Sequence, residues 1–168
     1  MSKTSAVTSR EAPLQSSPAV ASGPLLIRSD TFTIATHERV EIIDLTDQVM
    51  AHLRRAGIQE GVVSVWSMHT TCALFINESQ QALLADITQL LEDFAARDRY
   101  YRHNDPEHSD CDRANADAHL RAMLLGHSLS LQVSGGEVVL GQWQRLLLAE
   151  LDGPRTRTLR VQILGTSS

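Results

Sequence analysis

The sequence predicts an α+β fold built mainly from antiparallel strands. Short runs rich in β-branched residues are bounded by Gly, Pro, Asp and Asn, the punctuation of hairpins and edge turns. Three other stretches space their apolar residues three and four apart, as helices do. Strands and helices do not alternate as regular strand–helix–strand units, so a parallel sheet is not expected.

The elements follow in order. Residues 1–24 are rich in Ser, Thr, Ala and Pro with scattered apolar residues, too few to offset ordering entropy, so a flexible extension is expected. Lys3 and Arg10 are its only basic residues, which does not make a targeting helix. Leu25 to Thr33 and Arg39 to Ile43 read as two strands around a polar turn, an opening hairpin. Thr46 to Ala56 places Val49, Leu53 and Ala56 on one helix face, with Thr46 as expected cap and Gly57 as the stop. Val62 to Met68 and Ala73 to Ile76 read as central strands. A longer helix opens near Asn77, marked by Leu83, Ile87, Leu90, Leu91 and Phe94. Residues 97–114 are polar and aperiodic, a loop of a length that is commonly functional. A third helix is expected from Asn115 to Leu125, closed by Gly126. Leu129 to Val133, the Gly135-Gly136 turn and Val138 to Leu151 read as a hairpin. Asp152-Gly153-Pro154 then turns the chain into a last strand, where Leu159, Val161 and Ile163 share one face.

Composition narrows the function classes. The 168 residues are 42% hydrophobic and 21% charged, suited to one globular domain over residues 25–168, and aromatics at 4% leave the core to aliphatic side chains. Fifteen Lys+Arg against twenty Asp+Glu give a formal charge of −5, which argues against general nucleic-acid binding. Cys72 and Cys111 have no paired spacing, so a reduced, cytoplasmic chain is expected. No apolar run reaches the length of about 18 residues that a membrane span needs.

The seven histidines equal the Phe, Trp and Tyr residues combined. His69 ends an apolar strand, His103 stands in the polar loop, and His119 lies in the third helix four residues from Asn115, on the same face. Zinc takes neutral imidazole nitrogens, and three protein ligands with an open position make a catalytic site. His69, His103 and His119 are therefore a candidate metal set. Each also has an ordinary reading: a buried strand histidine bonded to a backbone carbonyl, a solvated loop residue, and a helix residue facing water. His37, His52, His108 and His127 sit where turns, exposed helix positions and helix ends explain them. Glu78 and Asp86, about two helical turns apart, are candidates for orienting a histidine or taking up a proton. Gly141-Gln142-Trp143-Gln144 with Asp152-Gly153-Pro154-Arg155 offers an aromatic face and, with Arg157 and Arg160, guanidinium groups suited to phosphate. The same residues also fit a packed tryptophan beside a solvated edge.

Six ordered motifs resemble the YjbQ-like family. They are Met68-His69-Thr70-Thr71-Cys72-Ala73 with Asn77-Glu78, then Asp86, Tyr101 to Asp105, Asn115 to Leu120 with Leu125-Gly126, Gly141 to Gln144, and Asp152 to Arg155. The resemblance spans about Leu25 to Gly165 and departs at Gln142, usually threonine, and Cys72, usually smaller. It implies two packed sheets with about three helices, assembling as a homotrimer with sites near subunit boundaries. It implies a divalent metal, zinc or, for a diphosphate substrate, magnesium, on His69, His103 and His119. Glu78, Asp86 and Arg155 would be catalytic, and Thr70, Thr71, Asn115, Trp143 and Arg155 would bind a small phosphorylated molecule. The activity implied is thiamine-phosphate synthase-type condensation. A non-enzymatic metal- or metabolite-binding trimer, or a metal-dependent phosphate-ester hydrolase, would use the same residues.

Overall fold

The computed structural model describes residues 22–167; residues 1–21, most of the expected flexible extension, lie outside them. The strands are β1 (Leu26–Ala35), β2 (Glu41–Asp44), β3 (Glu60–Ser67), β4 (Cys72–Asn77), β5 (Ser128–Ser134), β6 (Glu137–Val138), β7 (Arg145–Glu150) and β8 (Thr156–Thr166). The helices are α1 (Thr46–Ala56), α2 (Gln81–Phe94) and α3 (Ala116–Leu125), with a 3₁₀ turn at Arg102–Asn104. The strands form a five-stranded antiparallel sheet, β1-β8-β3-β5-β6, and a three-stranded one, β2-β7-β4. The α+β, two-sheet expectation holds.

The small sheet is a middle layer. Leu146 and Leu148 of β7 pack with α1 and the large sheet, whereas Leu147, Ala149 and Leu151 pack with Leu91 of α2 and Ala118 and Ala122 of α3. Burial on both faces is why β7 reads as an unbroken apolar run. In β8, Leu159, Val161 and Ile163 are buried and Arg160, Gln162 and Leu164 face outward, the alternation of a strand with one wet face.

Helix ends depart slightly from expectation. Thr46 is the first helical residue; its N–H donates to Asp44 Oδ1 at 2.9 Å, and its hydroxyl accepts the Leu146 N–H of β7. Gly57 ends α1 at φ 70°, a conformation that costs glycine nothing. Asn77 belongs to β4, and α2 begins at Gln81, where the Gln80 side chain accepts the Leu83 N–H at 2.8 Å.

Two strand expectations are corrected. Leu25 to Thr33 and Arg39 to Ile43 do not pair with each other: β1 pairs with β8, and β2 with β7. One long ribbon, β1-β2 against β7-β8, splits between the two sheets. At the split the two crossovers run side by side, with the Thr36 N–H donating to Arg155 O at 2.8 Å and the Gly153 N–H to Arg39 O at 2.9 Å. A Cβ on Gly153 would lie 2.2 Å from Glu38 O, so only glycine fits there. Val138 to Leu151 likewise is not one hairpin arm. Only Glu137–Val138 pairs with β5, and Gly141 to Gln144 is a turn that carries the chain to β7 in the other sheet.

Candidate functional site

A cleft of about 370 Å³ opens at this split. The β3–β4 connection brings His69, Thr70 and Thr71; the 3₁₀ turn brings His103; the start of α3 brings Asn115 and His119; and the crossover into β8 brings Arg155 and Arg157. Met68 beside His69, with Cys111 and Arg113 of the long loop, completes it. The three histidines separated in sequence therefore line one cavity. The His103 and His119 rings meet edge to face, centroids 5.0 Å apart.

The cleft floor is an ion-pair network. Glu150, fully buried, receives both Arg157 Nε, at 2.5 Å, and Arg157 Nη2, while Arg157 Nη2 also donates to the Thr71 carbonyl and hydroxyl. Glu150 Oε1 accepts the Leu151 and Asp152 N–H groups, each at 2.8 Å, and Oε2 accepts the Thr36 hydroxyl. Asp152 accepts from Asn115 Nδ2 at 2.8 Å, Arg155 Nη2 at 2.5 Å and Arg39 Nη1 at 3.0 Å, and Arg113 lies 3.8 Å away. Burial pushes the Asp152 carboxyl up, but the hydrogen bonds from Asn115 and Arg155 and the charges of Arg155 and Arg39 outweigh it and hold it below the usual carboxylate range.

Burial, with the Arg157 charge, lowers the His69 pKa against the pull of Glu150. Burial, with His103 beside it, lowers that of His119 against Asp152 and Asp117. Both rings are favoured neutral. The Thr158 N–H donates to His69 Nε2 at 2.8 Å, so the proton of the neutral ring is on Nδ1. A metal ligand must present a lone pair. In this arrangement His69 offers a hydrogen-bond donor instead, and among the described residues no three His, Cys, Asp or Glu side chains are grouped to hold a metal ion. The expected zinc set does not fit as the residues stand.

Three other expected site residues are elsewhere in the chain. β4 and β7 pair with Cys72 opposite Glu150 and Asn77 opposite Arg145. Thr71 and the cleft lie at the first end, and Glu78 and Trp143 follow at the second, about 17 Å away along a six-residue strand. Asp86 is exposed on α2, and Trp143 is 45% exposed. The small sheet thus separates motifs that are neighbours in sequence.

Arg39, Arg113 and Glu150 are site residues the sequence reading did not single out, and Asp152 entered it only as part of the Asp152-Gly153-Pro154-Arg155 turn. Glu150 carried a signal: a carboxylate ending an apolar strand must be paired if buried, and Arg157 lies one turn beyond. Arg39 carried none, because its partner Asp152 is 113 residues away.

Fold and site define a small α+β protein with a guanidinium- and imidazole-lined cleft at the junction of two sheets. Residues 30–166 match the family model described as UPF0047 protein YjbQ-like, and the chain belongs to that family. It is 45% identical over 132 residues to a UPF0047 protein of Methanothermobacter thermautotrophicus, covering 79% of this chain and 88% of the relative. It is 34% identical over 139 residues to UPF0047 protein YugU of Bacillus subtilis, covering 80% and 98%. A YbjQ-like protein of unknown function from Sulfolobus solfataricus superposes with TM-score 0.79 at 34% identity, over 85% of this chain and all of that one. A hypothetical protein from Aeropyrum pernix does so with TM-score 0.76 at 34% identity, over 83% and 99%. No helix among the described residues is long and apolar enough to cross a membrane.

Proposed function

We propose that the cleft binds a small phosphorylated molecule and donates a proton or hydrogen bond to the oxygen of a phosphate or diphosphate group as it leaves. One observation carries this: His69, His103 and His119 converge with Arg113, Arg155 and Arg157 on one cavity whose carboxylates, Glu150 and Asp152, are already paired beneath it. Guanidinium groups bind phosphate oxygens in pairs, and a preset charge facing the leaving oxygen lowers the barrier most where water is excluded. The Thr70 and Thr71 hydroxyls and the Asn115 amide are the neutral groups of the same wall.

Thiamine-phosphate synthase-type condensation is the reaction of this class that the family resemblance implies. The carbon–oxygen bond of a pyrimidine diphosphate breaks, the thiazole nitrogen of the second phosphate forms the new carbon–nitrogen bond, and diphosphate departs with the electron pair. Arginines would hold that diphosphate, and His69 Nδ1–H would bond to one of its oxygens. A zinc-type ion on the three histidines would require His69 to release the Thr158 N–H and turn. Magnesium, by contrast, would enter with the diphosphate. Glu78, Asp86 and Trp143 would reach the cleft only from a neighbouring subunit of a homotrimer. Ile27, Val62 and Leu164, aligned across β1, β3 and β8 and all exposed, are the apolar surface that favours such self-association.

Calorimetric titration of untagged protein with inorganic phosphate and pyrophosphate tests the reading, alongside elemental analysis for bound metal. Binding in the millimolar range or tighter is expected, weakened about tenfold in Arg155→Ala, as loss of a charge-assisted pair predicts. Absence of phosphate and pyrophosphate binding would sink the reading, and stoichiometric zinc would restore the metal alternative.

A further inference from the structure

A second hollow, of about 330 Å³, opens on the other side of the His103–His119 pair. Its remaining walls are Tyr101, Arg102, Ala116 and Leu120, and apart from Arg102 they are a phenol ring, a methyl and an isobutyl group. The backbone around them is tied down. The Tyr101 hydroxyl donates to Ala96 O at 2.9 Å, which fixes the half-buried ring. The Ala116 N–H donates to Asn104 Oδ1 at 3.0 Å, which pins the 3₁₀ turn to the start of α3. Leu120 stands one helical turn beyond Ala116 on the same face. These walls are set before any ligand arrives, which limits the ordering cost of binding.

The two hollows share both imidazoles and differ in chemistry. One offers arginines and hydroxyls to an anion; the other offers apolar surface to an uncharged body. A cavity of about 150 Å³ already takes a benzene ring, so the second hollow has room for one. We infer that it is the subsite for the organic body of the phosphorylated ligand, and that the chain selects phosphate monoesters or diphosphates carrying a compact aromatic or apolar group. The inference rests on the anion-binding reading of the neighbouring cleft. It places the bridging ester oxygen beside His103 and His119, between the two hollows. A third hollow joins the cleft at His69, but its walls include Trp66 and Met68, each more than half exposed.

The test compares three phosphates on the full chain by titration calorimetry: inorganic phosphate, phenyl phosphate and glycerol phosphate. Phenyl phosphate should bind about tenfold tighter than the other two, the gain expected from burying part of one ring. Leu120→Ser and Leu120→Asn should abolish that preference while leaving inorganic phosphate affinity unchanged. In the unaltered protein, nuclear Overhauser contacts from the phenyl protons to the Leu120 methyls are expected, a readout that needs no variant to fold. Equal affinity for the three phosphates, a preference that survives both substitutions, or contacts to Trp66 and Met68 instead would overturn the subsite but leave the anion site standing. If none of the three binds, the anion reading falls and the subsite falls with it.

Discussion

Replacing Glu150 by Gln tests whether the cleft floor is held by charge or by shape. Gln keeps the volume and one acceptor oxygen, but it removes the negative charge and turns the other acceptor into a donor that faces donors. Arg157, 2% exposed, then loses the carboxylate that receives two of its nitrogens. Breaking a buried pair by removing one partner costs about 3–5 kcal/mol, because the remaining charge stays desolvated. For a chain of this size each kcal/mol moves the melting temperature by about 2–4 °C, so a fall of about 6–20 °C is expected. Thermal unfolding followed by circular dichroism, at fixed protein concentration and neutral pH, measures it. A second reading separates charge from volume. Phosphate that binds only the folded state stabilises it by mass action. Added phosphate should raise the melting temperature more in Glu150→Gln than in the unaltered chain, since the anion replaces the lost charge beside Arg157. A melting temperature within about 2 °C of the parent, less than a single kcal/mol at this size, would refute the argument. So would equal increments with phosphate in both proteins.

Three other outcomes are expected. The lowered His69 and His119 values, with His52 lowered in the same way by burial and Arg55 against Asp30, mean that the unfolded chain takes up protons first as the pH falls. Their contribution is complete above the ordinary imidazole value of about 6.5 and is lost as the pH drops from there through the folded values, so melting temperature should fall on acidification across that window. Phosphate should oppose this, and binding near pH 7 should take up protons, visible as a dependence of the calorimetric heat on buffer ionisation enthalpy. Glu78→Gln and Trp143→Ala should leave phosphate affinity of the isolated subunit unchanged, because both residues stand at the far end of the small sheet. Light scattering beside the titration shows whether any loss coincides with a trimer, which alone would bring them to the cleft.

The class of fold was legible because it rests on local signals: Gly57 and Gly126 after helical stretches, and the alternation of β8. Strand pairing was not. A polar turn around His37 looks the same whether it closes a hairpin or carries a ribbon from one sheet to another, and only the partners on β7 and β8 decide. The site divided along the same line. His69, His103 and His119 could be flagged by residue type and grouped by ordered motifs, and they do line one cavity. The tautomer of His69 could not be read, because it is fixed by a backbone N–H from Thr158, 89 residues away. Glu78 and Trp143 flank motifs that reach the cleft, yet β4 and β7 run away from it and carry them to the opposite end.

The position of the cleft follows from the way the ribbon splits. Where β1-β2 and β7-β8 leave one sheet for the other, the Leu151 and Asp152 N–H groups are buried; among backbone acceptors Leu151 reaches only the Thr71 carbonyl, at 3.2 Å, and Glu150 Oε1 accepts both at 2.8 Å. A carboxylate placed there for the backbone must itself be neutralised, as must Asp152, and Arg157, Arg155 and Arg39 do so. Arg113 at the rim adds a cation, while Asp117 is shared by Arg39 and Arg121, and Arg121 pairs with Glu92 as well. Guanidinium groups are therefore in excess where the cleft meets solvent. Such a surface suits an anion better than a bare divalent ion, in keeping with the proposed phosphate site. The cationic lining of the cleft is thus a consequence of how the ribbon satisfies its own buried backbone.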